Sequence, residues 1–407
     1  MKFNVADFAG RIPRVDLSKK IPAAEYEERI DRVRKEIDSR GIDVGFAFGT
    51  ELKPGDTGWL TGYDPHLEDT ACIVGPKAVF LLGGPEGAAY AEEMKKAGEF
   101  RNLFELKIPE EDYPGATFFT LAELFEEACG GKPRRIGLLS LDSFLPAGML
   151  ELIRSSAEAE IVDATDILLK ARYIKSKNEQ AVMKVAAEIS TWAMRALIAV
   201  IEPGVRETEA AACADYVMRF LGADGRPGVT TLVNSGERIS NVLGRASNKI
   251  IREGDSVLLG LSARYEGLSS CVSRTIMVGK GTADQEELLQ HGERAYNLAV
   301  EKLGYNMPAS GPDLAVHEYL KPLGLYPSYS VVHNIGWTEA MEGYGAATRY
   351  SEYTFPKNVT LMVDVGIFGL PFKSVQPQYV GLRMEDPFLI NDSGELEKLS
   401  DLPIRDA

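Results

Sequence analysis

The chain has 407 residues, 45% hydrophobic and 26% charged, with 60 acidic side chains against 45 basic ones and a formal net charge of -15. That length predicts about two domains, each able to bury its own core. The acidic balance argues against nucleic acid and anionic membranes as partners, because both need a basic surface.

No run of 18 or more apolar residues appears, the first seven residues lack the apolar core of a signal peptide, and the four cysteines are widely spaced with no CxxC pair. A reducing, cytoplasmic location is therefore expected. In chain order, Ile30, Val33 and Ile37 recur at helical spacing and Gly41 supplies a stop, which predicts a helix over residues 23–40. The runs 45–48, 71–74, 78–82 and 136–139 read as short buried strands, with helical stretches near 86–97 and 119–129. Strands alternating with helices predict a smaller three-layer α/β domain, assigned to residues 1–165. Ser176 followed by Glu179 is a capping box that starts a helix running to about Ile201, where Pro203-Gly204 ends it. A second helix spans 207–221. Beyond residue 225 the pattern turns to strands at 230–236, 256–261, 273–278, 359–365 and 387–390, with helices near 284–303 and 312–322. This predicts an α+β domain over residues 166–407, a curved and mainly antiparallel sheet with helices on its outer face.

Four segments of that second domain stand out. They are Gly254-Asp255-Ser256-Val257-Leu258, Tyr265-Glu266-Gly267 running on to Ser273-Arg274-Thr275, Val332-His333-Asn334-Ile335-Gly336, and Gly381-Leu382-Arg383-Met384-Glu385-Asp386. With the opening Lys175-Ser176-x-x-Glu179 and Pro203-Gly204-Val205, they resemble the creatinase/aminopeptidase P/prolidase family over roughly residues 172–400. The first domain resembles it more loosely, through residues 59–74. The resemblance implies a pita-bread catalytic domain, and a homodimer in which the N-terminal domain of one chain closes the other's pocket. In the family's metallopeptidases two Asp, one His and two Glu hold a pair of divalent metals. Carried over position by position, the resemblance implies Gly260 and Cys271 at the Asp positions, His333 at the His, and Asp364 and Glu385 at the two Glu.

Two bridged hard cations need several carboxylates, whereas Gly260 offers no side chain and Cys271 is a soft donor. The expectation is therefore no metal, with a single Zn²⁺ on some of Cys271, His333, Asp364 and Glu385 as the chemically sensible exception. The family's metal-free hydrolase, creatinase, uses a His that falls here at Leu243, an acidic residue that falls at Ser273 and a pocket His that falls near Ala340. What remains is His333, read either as an acid/base group near neutral pH or as a satisfied pocket histidine, with Glu385 or Asp364 fixing its tautomer. Cys271 is either a thiolate nucleophile beside His333 or an inert buried thiol. The resemblance further implies that a substrate-binding Arg falls at Glu68, with His66 two residues earlier. An acidic Glu68, joined by Glu339 and Glu342 beside His333, favours a cationic substrate, with Arg245 and Arg383 as counter-charges; the alternative is a solvated acidic loop. The expected function is metal-independent hydrolysis of a C–N bond in a small amide, amidine, guanidine or peptide-like substrate. A ligand-binding pseudoenzyme is the alternative, and a metal-dependent Xaa-Pro peptidase comes third.

Overall fold

Helix α1 (Val5–Ala9) is capped by Asn4, whose side chain accepts from the Ala6 and Asp7 amides. Helix α2 (Ala23–Ser39) buries Tyr26, Ile30, Val33 and Ile37, the stripe that the spacing predicts. These lie in a computed structural model that describes residues 4–141, 144–225, 230–339 and 342–405; Ala340 lies outside them. The chain divides into two units, Ile21–Arg172 and Tyr173–Ala407, and the residues before Ile21 group with the second.

The first unit carries a six-stranded sheet of β1 (Val44–Gly49), β2 (Thr70–Val74), β3 (Val79–Gly83), β4 (Glu99–Asn102), β5 (Arg135–Leu138) and β6 (Glu160–Asp163). The spatial order is β4-β3-β2-β1-β5-β6. The β1–β2 and β2–β3 pairings are antiparallel, while β4, β5 and β6 join in parallel. Its helices after α2 are α3 (Gly55–Thr61), α4 (Ala88–Met94), α5 (Leu121–Cys129), α6 (Ala147–Ser156) and α7 (Thr165–Tyr173). The sequence reading runs this domain from 1 to 165, and the observed division differs at both ends. Asp166 on α7 binds Arg40 at 2.6 Å, and buried Arg172 binds Asp56, so α7 is tied to the first unit. Conversely, the Leu17 carbonyl accepts from the Tyr265 hydroxyl at 2.6 Å, which ties the N-terminal segment to the second.

The second unit opens with α8 (Lys177–Val200), where both bonds of the Ser176/Glu179 capping box are made, and α9 (Glu207–Phe220). Its sheet comprises β7 (Leu232–Ser235), β8 (Ser256–Tyr265), β9 (Leu268–Met277), β10 (Val332–Asn334), β11 (Ala346–Ala347), β12 (Val359–Phe368), β13 (Gly381–Ile390) and β14 (Leu396–Lys398). The order is β11-β10-β12-β13-β9-β8-β7, with β14 on β13. Among the described residues every pairing in this sheet is antiparallel. Helices α10 (Ala283–Glu301) and α11 (Gly311–Leu320) lie between β9 and β10 in sequence.

One row across this sheet positions the site. Gly260 is opposite Ser273, Ser273 opposite Glu385, and Glu385 opposite Asp364. Opposed residues share a face and the period along a strand is two, so Gly260, Ser262, Cys271, Ser273, Arg383, Glu385 and Asp364 all lie on one face. Their neighbours point the other way. Val363, Val365, Leu382 and Met384 join Leu288, Leu289, Ala295 and Tyr296 of α10 in one buried core. On that second face Arg274 donates to Asp386 at 2.8 and 3.1 Å, and the Tyr296 hydroxyl donates to Asp386 at 2.8 Å. Of each adjacent pair, Ser273-Arg274 and Glu385-Asp386, the first residue serves the site and the second the core.

Candidate active site

Glu385 is the centre of the polar face and is fully buried. Its Oε2 accepts from Ser273 Oγ at 2.7 Å and Cys271 Sγ at 3.2 Å, and Arg383 Nε lies 3.4 Å away. Its Oε1 has no hydrogen-bond partner, and His333 Nε2 lies 3.6 Å from it. The His333 Nδ1 lies 3.0 Å from the Asn334 carbonyl, which can only accept, so Nδ1 carries the hydrogen and Nε2 alone faces Glu385. Asp364 is held at both oxygens. Oδ1 accepts from Tyr329 at 2.9 Å and Arg383 Nε at 3.0 Å, and Oδ2 accepts from the other arm of Arg383 at 2.6 Å. Glu339, on the loop after β10, is half-buried and accepts from Ser262 Oγ at 2.6 Å.

These groups set one another's protonation. Burial works against the Glu385 anion, but the Arg383 charge and the His333 contact bring its carboxyl down to about 2. Burial also works against the His333 cation, yet the adjacent Glu385 carboxylate, followed by Asp364, lifts it above its ordinary value. Asp364 and Glu339 are both pushed up, first by burial and then by Glu385, although Arg383 opposes this at Asp364. Burial, then the charges of Glu385 and Glu339, drives the Cys271 thiol well up. That is the environment of a thiol and not of a resting thiolate nucleophile.

Two groups of metal-ligating atoms result, each within 4.8 Å of one another: Cys271, Glu339 and Glu385, and His333, Asp364 and Glu385. Glu385 belongs to both. Beside them on the same face, Leu232, Ile239, Leu258 and Phe368 form an apolar cluster with Tyr329 packed on it. Gly366 admits Tyr329, since a Cβ there would meet its hydroxyl at 2.2 Å.

Of the second-unit residues the sequence singles out, His333, Glu385, Asp364, Cys271, Glu339 and Arg383 are brought together, while Glu342 and Arg245 have other surroundings. Glu342 is fully buried and pairs with Lys175 at 3.3 Å, while Thr338 donates to it at 3.0 Å. Arg245 is exposed, as is Leu243, and the Arg245 carbonyl accepts from Arg238 at 2.7 Å. In the first unit, Glu68 accepts from the Glu86 and Gly87 amides at 3.3 and 2.8 Å just before α4. His66 is exposed and lies 3.2 Å from Glu51. Sequence reasoning misses Ser262 as an orienting hydroxyl and credits Ser273 only with the absence of an acid. Both were within reach, because each sits two residues along its strand from a site position. Tyr329 precedes β10 and carries no sequence signal.

The comparisons fit this geometry. A family model, metallopeptidase family M24, matches residues 181–392. The chain belongs to that family. Its relatives include an Xaa-Pro dipeptidase of Pyrococcus furiosus, 27% identical over 371 residues, covering 90% of this chain and 96% of the relative. A second, an Xaa-Pro dipeptidase of Pyrococcus horikoshii, is 28% identical over 317 residues, 77% of this chain and 84% of the relative. Among solved structures, a prolidase from Pyrococcus furiosus aligns with a TM-score of 0.74 at 26% identity, covering 91% of this chain and 99% of that one. The pita-bread fold and the hydrolase character expected from the sequence both stand.

Two expectations are corrected. The metal-independent, creatinase-like reading gives way, because the family is one of metallopeptidases and these relatives are Xaa-Pro dipeptidases. The expectation of no metal gives way with it, because the fold assembles the two donor groups around Glu385. The physical reason is Glu339. Position-by-position transfer counts the empty place at Gly260 but does not see a carboxylate arriving from the loop after β10.

Proposed function

We propose that this M24 protein is a metal-dependent peptidase that hydrolyses the C–N bond of a short Xaa-Pro peptide on the polar face of its second unit. The observation that carries this reading is the pair of donor groups sharing the fully buried Glu385. The donor set fits a divalent cation, because Glu385 Oε1 is buried with no hydrogen-bond partner and imidazole, thiol and carboxylate groups surround it. The residues that would hold the ion are drawn from Cys271, Glu339, Glu385, His333 and Asp364. A bound metal would supply Lewis acidity to the scissile carbonyl.

The chain's own groups do the rest. Ser273 and Ser262 orient the carboxylates of Glu385 and Glu339. His333, with Nδ1 committed to the Asn334 carbonyl, presents Nε2 as the atom that carries a proton on this face. Leu232, Ile239, Leu258 and Phe368 offer an apolar wall that suits a pyrrolidine ring and excludes water from its side of the bond. We further read the protein as a cytoplasmic homodimer. Four free cysteines support a reducing compartment, and light scattering tests the dimer.

The deciding assay follows release of proline from a panel of Xaa-Pro dipeptides by protein loaded with Zn²⁺, Co²⁺ or Mn²⁺, beside a Glu385→Gln variant. Hydrolysis that E385Q lowers by about 10²-fold or more supports the reading. Metal-loaded, folded protein that cleaves none of the panel overturns it.

A further inference from the structure

We propose that Lys175 and Glu342 are positioning residues for Glu339, a buried ion pair that clamps the turn from which Glu339 reaches the polar face. The inference rests on the reading of that face as a metal centre and concerns what aims one of its donors.

Glu339 stands on a loop rather than a strand, is half-buried, and accepts from Ser262 Oγ at 2.6 Å. The direction of its carboxylate therefore depends on the path of the backbone beside it. That backbone is fixed by Glu342. The Glu342 side chain folds back on its own turn, and its Oε2 accepts from both the amide and the hydroxyl of Thr338, at 3.3 and 3.0 Å. Thr338 immediately precedes Glu339. The far side is held as well: the Gly345 amide donates to the Glu342 carbonyl, and the Gly345 carbonyl accepts from the Asn334 amide, both at 2.8 Å. One carboxylate thus ties the residue before Glu339 to the stretch that follows it.

A carboxylate does this in a dry place only when its charge is met. Glu342 is 0% exposed and Lys175 2%, and the ammonium lies 3.3 Å from Glu342 Oε1. Lys175 is itself anchored, since its amide donates to the Asn358 carbonyl at 2.7 Å, just before β12, and the adjacent Ser176 caps α8. Gly336 makes room for the pair. A Cβ there would stand 2.7 Å from Glu342 Oε1 and 2.8 Å from Lys175 Cε. In the segment from His333 to Gly336, the histidine serves the polar face and the glycine admits the clamp behind it. Groups that hold the direction of a metal ligand typically carry about 10–100-fold in metal affinity. Replacing both members of a buried ion pair by apolar side chains is often neutral for stability. Here it would also remove the acceptor for Thr338, so a purely structural pair and a positioning pair give different results.

The experiment titrates metal-free protein with Co²⁺ by isothermal calorimetry and records the melting temperature beside it. Lys175→Met/Glu342→Leu should melt near the wild type and bind Co²⁺ at least about 10-fold more weakly. Lys175→Met/Glu342→Gln, which removes the charges but leaves Thr338 an acceptor, should recover most of that affinity. In a Glu339→Gln background the K175M/E342L change should cost less than about threefold, because its effect passes through Glu339. Wild-type affinity in K175M/E342L, equal losses in the two double variants, or a loss undiminished in Glu339→Gln overturns the proposal. If K175M/E342L is not recovered folded, Thr338→Val decides. A weakening of about threefold or more that disappears in Glu339→Gln supports the clamp, and unchanged affinity overturns it. Wild-type protein that binds no Co²⁺ overturns the metal reading and this inference with it. Xaa-Pro hydrolysis by the wild type together with wild-type affinity in K175M/E342L removes this inference alone.

Discussion

The back of the sheet offers the sharpest stability test. Arg274→Met removes a guanidinium that donates to Asp386 at 2.8 and 3.1 Å and to the Ser273, Glu385 and Pro403 carbonyls at 2.8, 2.9 and 2.7 Å. Asp386 stays fully buried, still bonded by Tyr296 and Ser400, with Lys398 at 3.2 Å. Breaking one side of a buried pair costs about 3–5 kcal/mol. The nearby Lys398 ammonium compensates in part, which puts the loss near ~3 kcal/mol. For a unit of this size each kcal/mol moves the melting temperature by about 2–4 °C, so a fall of roughly 6–12 °C is expected by scanning calorimetry. Arg274→Met/Asp386→Leu, which removes both charges, should recover most of it. A fall in R274M within about 2 °C would refute the claim that this pair is a buried anchor. Activity per folded, metal-loaded molecule should hardly change, because neither residue faces the site.

Cys271 in folded, metal-free protein should resist iodoacetamide at neutral pH, while half-buried Cys129 reacts faster; prompt labelling of Cys271, read by peptide mass spectrometry, would remove the buried-thiol assignment. In the first unit, the Arg40 guanidinium holds the Asp166 carboxyl down to about 2, below its unfolded range. Its stabilising effect is therefore present above about pH 4 and lost as pH falls toward about 2. Asp166 is partly exposed and water screens the pair, so Asp166→Asn should cost under about 1 kcal/mol at neutral pH, with the gap closing in acid. A gap that widens in acid would contradict the assignment.

Much of the fold was legible because its apolar faces keep strict periods. The α2 stripe, the Ser176/Glu179 box and the cores of β8 and β12 are visible in the letters, as is the second half of β9. The strand that matters most was cut short. The sequence reading starts it at 387, whereas β13 runs Gly381–Ile390 and carries Arg383 and Glu385 in its first half. A strand with one polar face and a proline at position 387 does not read as an apolar run, so the functional half looks like a loop. The site shows the same limit. The resemblance singles out His333, Asp364, Glu385 and Cys271, and Glu339 enters only as an acidic neighbour, since its approach to Cys271 depends on a loop path that no local pattern encodes. Glu342, three residues on, looks identical in sequence and is instead neutralised by Lys175, 167 positions upstream.

The tie between Leu17 and Tyr265 reaches beyond the site. These residues are 248 positions apart, and the whole Ile21–Arg172 unit lies between them in sequence. During synthesis, at roughly 5–20 residues per second, that unit emerges complete before Tyr265 exists. The leading segment must therefore wait, docking places unmade, while the residues behind it fold. The Ile21–Arg172 unit is thus inserted in sequence between two parts of the second, whose Leu17–Tyr265 bond cannot form until Tyr265 has been made.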